Sequence, residues 1–172
     1  MSVILGLDLS LNAAAAVAVP ANWDRVWSRV NTVVVGEVLS TMATLEERAR
    51  RTQSIARKLC AFARQHNVTH AWIEDYAFSR KSASVHALAE LGGVVKLALA
   101  EEGIVLERAN MGTARKLLLG MGRGKGIKLA VYDAWLAAGR RFESLDESDA
   151  MACANLGLSH LGGYFFGQEE AA

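Results

Sequence analysis

Four carboxylates stand where a fold can bring them together: Asp8 in ILGLDLS, Glu74 in AWIEDYAF, and Asp146 with Asp149 in SLDESDAMACA. The first two each end a short apolar run that reads as a buried strand. The last two are three residues apart where a helix begins, a spacing that shares one helix face. Carboxylates at the ends of core elements lose hydration and need a partner. Three or four that converge suit a hard divalent cation. The chemistry predicted is metal-dependent phosphoryl transfer. A plainer reading of Asp146 and Asp149 is helix capping with a favourable dipole interaction.

The cations are segregated in a way that fits this chemistry. Residues 108–141 carry Arg108, Arg115, Lys116, Arg123, Lys125, Lys128, Arg140 and Arg141 against Asp133 alone, a balance of +7. Residues 142–172 have a balance of −6, so the net charge of +1 conceals two charged regions. A phosphodiester enzyme needs cations for the backbone and carboxylates for the metal. Arg115, Lys116, Lys125 and Lys128 are the candidate phosphate contacts, with Arg123 beside them in the glycine-rich stretch. A lysine near the scissile phosphate also offsets charge that builds in the transition state. The plainer reading is two solvated faces.

These residues need a frame, and the chain supplies one. At 172 residues, 52% apolar and with a mean hydropathy of +0.17, it is expected to form a single α/β domain over 1–172 with a sizeable core. Strands are predicted at 3–9, 14–19, 32–39, 71–74 and 104–106, the first two as a hairpin. Residues 20–31, with the only proline, read as a surface loop. Helices are predicted from Leu45 to about His66, over 83–101, from an Asn110 cap to Leu119, over 128–138, and from Asp146 or Ser148 to about Leu161. The tail after Gly163 has no assignment. Three strands followed by alternating helices and strands imply a mixed sheet of about five strands flanked by helices. Asp8 and Glu74 are then expected at one edge of it.

Other chemistries find little support. Cys60 and Cys153 lack any metal or redox spacing and read as buried free thiols of a cytoplasmic protein. His66, His70, His86 and His160 have no metal-motif spacing, and no nucleophile triad or zinc site is indicated. GMGRGKG fails as a nucleotide loop, because no Ser or Thr follows its lysine and a helix rather than a strand precedes it. No targeting or membrane-spanning segment is expected.

In four blocks covering most of its length the chain resembles the RuvC-type Holliday-junction resolvases of the RNase H-like nuclease superfamily. ILGLDLS resembles the first-strand block, and AWIEDYAFSRKSASVHALAELGGVV the Ile-Glu block with its aromatic and small-residue helix. NMGTARKLLLGMGRGKGIKLAV resembles the basic block, and DESDAMACA the closing Asp-x-x-Asp-Ala block. The chain departs from the family where Leu9-Ser10 replaces Pro-Gly and an alanine run replaces Thr-Gly, as in viral or divergent members.

The resemblance implies two Mg2+ or Mn2+ ions held by Asp8, Glu74, Asp146 and Asp149, with Asp8 bridging. It places Arg115 and Lys125 at the family's basic positions. Phe78, or failing that Tyr76, would wedge into the junction core, where a ring stacking on an unpaired base contributes roughly 1–3 kcal/mol. It further implies a homodimer, for which the stripe Leu88, Gly92, Val95 and Leu99 is the interface candidate, and a branched-DNA substrate. Neither a membrane nor a nucleotide cofactor is expected, and the location is the cytoplasm of a bacterium or of a virus's host. Three other readings stay open: a nuclease of this fold acting on Y-branches, D-loops or flaps, an actin-like ATPase, and a non-catalytic DNA-binding module.

Overall fold

The computed structural model of the chain describes residues 2–74, 84–163 and 165–167. Five strands form one sheet of order β3-β2-β1-β4-β5: β1 (Val3–Asp8), β2 (Ala14–Pro20), β3 (Asn31–Val35), β4 (His70–Glu74) and β5 (Val105–Ala109). β1, β2 and β3 pair antiparallel, whereas β4 lies parallel to β1 and β5 parallel to β4. Helices α1 (Leu45–Gln65) and α2 (Ser84–Glu101) cover one face of the sheet. The other face carries α3 (Met111–Leu119), α4 (Ile127–Ala137) and α5 (Leu145–His160). This mixed sheet between two helical layers is the architecture expected from the sequence.

Strand alternation sends successive side chains to opposite layers. In β1, Leu5 and Leu7 join the α1/α2 core, while Ile4 joins the α5 core. β2 is built from alanine and valine, and alanine is a poor strand former. Burial on both faces overrides that preference, because small side chains let both helical layers approach a central strand. The strand expected at 32–39 ends at Val35, which pairs with Ala14, the first residue of β2, so residues beyond it have no partner strand.

Two expectations are corrected. Residues 20–31 are not a surface loop, since Trp23 and Val30 are core residues. Trp23, Trp27 and Trp135 gather round Phe166 with ring centroids 5.4–5.9 Å from it, which gives Phe166 a place in the core. The indole NH of Trp27 donates to the Ala138 carbonyl at 2.9 Å and that of Trp135 to the Ser148 carbonyl at 3.0 Å, so these two ring donors are satisfied. The second correction concerns α2. Of the stripe put forward as a dimer interface, Val95 and Leu99 are fully buried within their own subunit, together with Leu91. The large apolar residues that α2 exposes to solvent are Val94 and Leu97.

Helix α5 is the spine of the layer that also holds α3 and α4. It has no polar stripe, and residues 147–158 are all buried between the sheet and helices α3 and α4. Its alanines and glycine permit that closeness. A Cβ on Gly6 would lie 2.0 Å from the Ala150 carbonyl oxygen, and one on Gly157 would lie 2.6 Å from the Trp72 ring. Glycine at position 6 therefore sets how near the start of α5 comes to the end of β1.

Candidate active site

Parity along the strands decides where the first two carboxylates point. Asp8 shares its face of β1 with Ile4 and Gly6, and Glu74 shares its face of β4 with Trp72, all on the α5 side. Leu7 pairs with Ile73, so Asp8 and Glu74 follow at the ends of neighbouring parallel strands. The two carboxyls are close enough that Glu74 raises the pKa of Asp8. Asp146 and Asp149 arrive from the first turns of α5.

The capping explanation for Asp146 and Asp149 gives way to a different pair of residues. Ser144 caps α5, accepting from the Glu147 amide at 3.1 Å, and Glu147 accepts from the Ser144 and Glu143 amides at 3.1 and 2.7 Å. This capping box was legible as Ser-x-x-Glu and fixes the helix start one residue before Asp146. The two aspartates are left free for other partners.

Those partners are Arg115 and Lys128, two of the cations expected to contact DNA. Arg115, on α3, holds Asp149 with two contacts, Nη2 to Oδ2 at 2.9 Å and Nε to Oδ1 at 3.4 Å. Lys128, in the first turn of α4, puts its ammonium among three carboxylates: 3.1 Å from Asp149 Oδ2, 3.2 Å from Asp146 Oδ1 and 3.6 Å from Asp8 Oδ2. The glycine-rich stretch makes this possible. Gly120 and Gly126 adopt left-handed conformations that end α3 and start α4. Gly122 lies against the Gly112 backbone, where a Cβ would come within 2.3 Å. The glycines thus fold α4 back beside α3 and deliver Lys128. Lys116, Arg123 and Lys125 are exposed nearby, Lys116 on α3 and the other two in the α3–α4 loop. Tyr76 and Phe78 lie outside the described residues.

Burial is the chief reason that the Asp8 carboxyl is pushed up to about 8, followed by the hydrogen bond to Glu74 and the charges of Glu74 and Asp149. The Lys128 ammonium opposes the rise. For Lys128 itself, burial disfavours the charge, but Asp8 and Asp149 outweigh it and its pKa is raised. The consequence for stability has a definite sign. Between pH 4 and 8 the unfolded chain has lost the Asp8 proton and the folded one keeps it, so stability falls as pH rises across that window. Relative to Asp8→Asn, the metal-free wild type should lose roughly 1–3 kcal/mol between pH 5 and 8. Parallel pH profiles of the two denaturation midpoints would remove this account of Asp8.

The donor set also bears on metal binding. Asp8 Oδ2 is buried and accepts no hydrogen bond, which leaves a strongly basic oxygen in need of a cation. The four acidic side chains offer only hard oxygen donors, matched to Mg2+, Mn2+ or Ca2+ rather than to softer metals. As they stand, with the ammonium between them, no three acidic, His or Cys side chains among the described residues are gathered closely enough to ligate one ion. The chemistry of the donors fits a divalent metal, and the competing occupant is Lys128.

A mixed sheet of order 3-2-1-4-5 with helices on both faces, carrying carboxylates at the ends of its first and fourth strands, is the RNase H-like fold. Residues 4–157 match the family model described as crossover junction endodeoxyribonuclease RuvC, and the chain belongs to the RuvC family. Nucleases of that family depend on divalent metal. Among solved structures, RuvC of Thermus thermophilus is similar with a TM-score of 0.66 at 18% identity, over 93% of this chain and 96% of that one. The Thermus thermophilus RuvC complex with a Holliday junction substrate gives 0.65 at 15%, over 94% and 97%. The Fowlpox virus resolvase bound to Holliday junction DNA gives 0.55 at 12%, over 92% and 98%. No curated protein sequence matches the chain. Among the described residues no helix is long and apolar enough to cross a membrane.

Proposed function

We propose that this chain, folded as one domain over 1–172, is a structure-selective DNA endonuclease that resolves four-way junctions by paired symmetric nicks. The observation that carries the reading is the meeting of Asp8, Asp146 and Asp149 from two elements round one cation, with Asp8 Oδ2 buried and unbonded and Glu74 beside it. Asp8, Glu74, Asp146 and Asp149 would hold two Mg2+ or Mn2+ ions. Such ions activate a water and stabilise the leaving oxygen of an in-line displacement.

The remaining residues have separate tasks. Arg115 keeps the Asp149 carboxylate oriented and low in energy in its buried setting. Lys116 and Arg123 track the DNA backbone, and Lys125 offsets charge on the scissile phosphate. Phe78 or Tyr76 stacks on an unpaired base at the branch point. Two copies related by a two-fold axis would present two sites to symmetric strands, which accounts for paired nicks. The exposed Val94 and Leu97 of α2 are the residues through which we expect the copies to meet. The working location is the cytoplasm of a bacterium or of an infected cell.

Incubation with four-way, Y-shaped and linear DNA, with and without Mg2+, tests the reading. Symmetric nicks in four-way DNA, dependent on Mg2+ and absent from linear duplex, are expected. Equal cutting of Y-shaped DNA would establish a broader branched-DNA nuclease instead. Binding without any cutting would reduce the chain to a DNA-binding module.

A further inference from the structure

Lys128 is unlike the other cations of the basic segment. Its ammonium lies within 3.6 Å of carboxylates from β1 and from two positions of α5. It is also an imperfect occupant. The distance to Asp8 Oδ2 is too long for a hydrogen bond, and that oxygen accepts none. One ammonium, with Arg115 on Asp149, faces three carboxylates with Glu74 beside them, so the centre still carries excess acid. The Lys128 side chain is 46% exposed, whereas those of Asp8 and Asp149 are 7% and 1% exposed. The amine therefore reaches in from solvent on a flexible four-carbon stem, and its route out is open.

We infer that Lys128 is a tethered counter-ion that takes the place of a divalent cation among Asp8, Asp146 and Asp149 and must swing out before the centre can fill. The inference rests on the metal-centre reading above and adds to it a residue that sets the metal threshold. An ammonium and a divalent ion cannot share these oxygens, because like charges a few ångströms apart in a partly buried site repel strongly. Without metal, Lys128 limits repulsion among the carboxylates. With metal, it competes.

The proposal is tested by titrating Mn2+ into the full chain by calorimetry, for wild type and for Lys128→Met, which keeps the stem and removes the charge. Mn2+ should bind the variant at least about tenfold more tightly, equivalent to about 1.4 kcal/mol. A second measurement uses unaltered protein, so a poorly folding variant does not decide the matter. Acylation of lysines by an amine-reactive ester, read by mass spectrometry, should label Lys128 severalfold faster in saturating Mn2+. Lys58, exposed on α1 across the sheet, should not change. Equal or weaker Mn2+ binding by the variant, or Lys128 labelling that Mn2+ leaves unaltered, overturns the counter-ion role while the metal centre stands. Absence of Mn2+ binding in both proteins overturns the metal centre and this inference together.

Discussion

Asp8→Asn should reduce junction cleavage on the order of a thousandfold or more while leaving the metal-free protein at least as stable as wild type at pH 8. The two effects share one cause. The Asp8 carboxylate is buried, feels the Glu74 charge and has an oxygen without a hydrogen bond. A charge held there is a strain on the fold that becomes useful only when a cation arrives. Asparagine has nearly the same shape and no charge, so it relieves the strain and removes the ligand. Single-turnover cleavage of four-way DNA and a thermal melt at pH 8 check the two halves. Cleavage within tenfold of wild type would detach Asp8 from the chemistry. A melting point well below wild type would mean that the carboxylate supports the fold rather than burdening it.

Gly6→Ala should destabilise the protein by about 3 kcal/mol or more, a large effect for one methyl group. The added carbon would lie 2.0 Å from the Ala150 carbonyl oxygen, 2.5 Å from the Ala154 amide nitrogen and 2.9 Å from the Ala154 Cβ. Two of these are backbone atoms of a helix buried all round, so no rotamer change clears the space. Helix α5 has to move away from β1. The same movement would draw Asp149 away from Asp8, and any soluble variant should have lost cleavage as well. Denaturant unfolding measures the first effect, and a change under about 0.5 kcal/mol would show that the helix has more freedom than its packing indicates.

Much of this arrangement could be read from the chain because it is local. An apolar run ending in an acid marks Asp8 and Glu74 as strand-end residues, and alternation within each strand then sends both to one face. Asn110 caps α3 as expected, accepting from the Thr113 amide at 3.1 Å. The limits begin where two elements must be compared. A cation that faces a phosphate and one that faces a carboxylate look alike in a charge count, so Arg115 and Lys128 were both aimed outward. The Leu, Val and Gly content of α2 offers apolar residues on more than one face, and only packing shows that Leu91, Val95 and Leu99 turn inward. The residues at 20–31 lack periodicity because single tryptophans, not a regular face, insert into the core. The start of α5 is a different kind of miss, since the Ser144–Glu147 pattern was present and its mechanism is general.

The two cores on either side of the sheet have unequal spectroscopic visibility. Trp23, Trp27, Trp72 and Trp135, all four tryptophans of the chain, belong to the layer around α5, and none to the layer of α1 and α2. Intrinsic fluorescence therefore watches the half of the molecule that carries the carboxylates, whereas far-ultraviolet dichroism also weighs the two longest helices on the opposite side. Comparing the two signals during unfolding tells whether the halves come apart together, with no label attached.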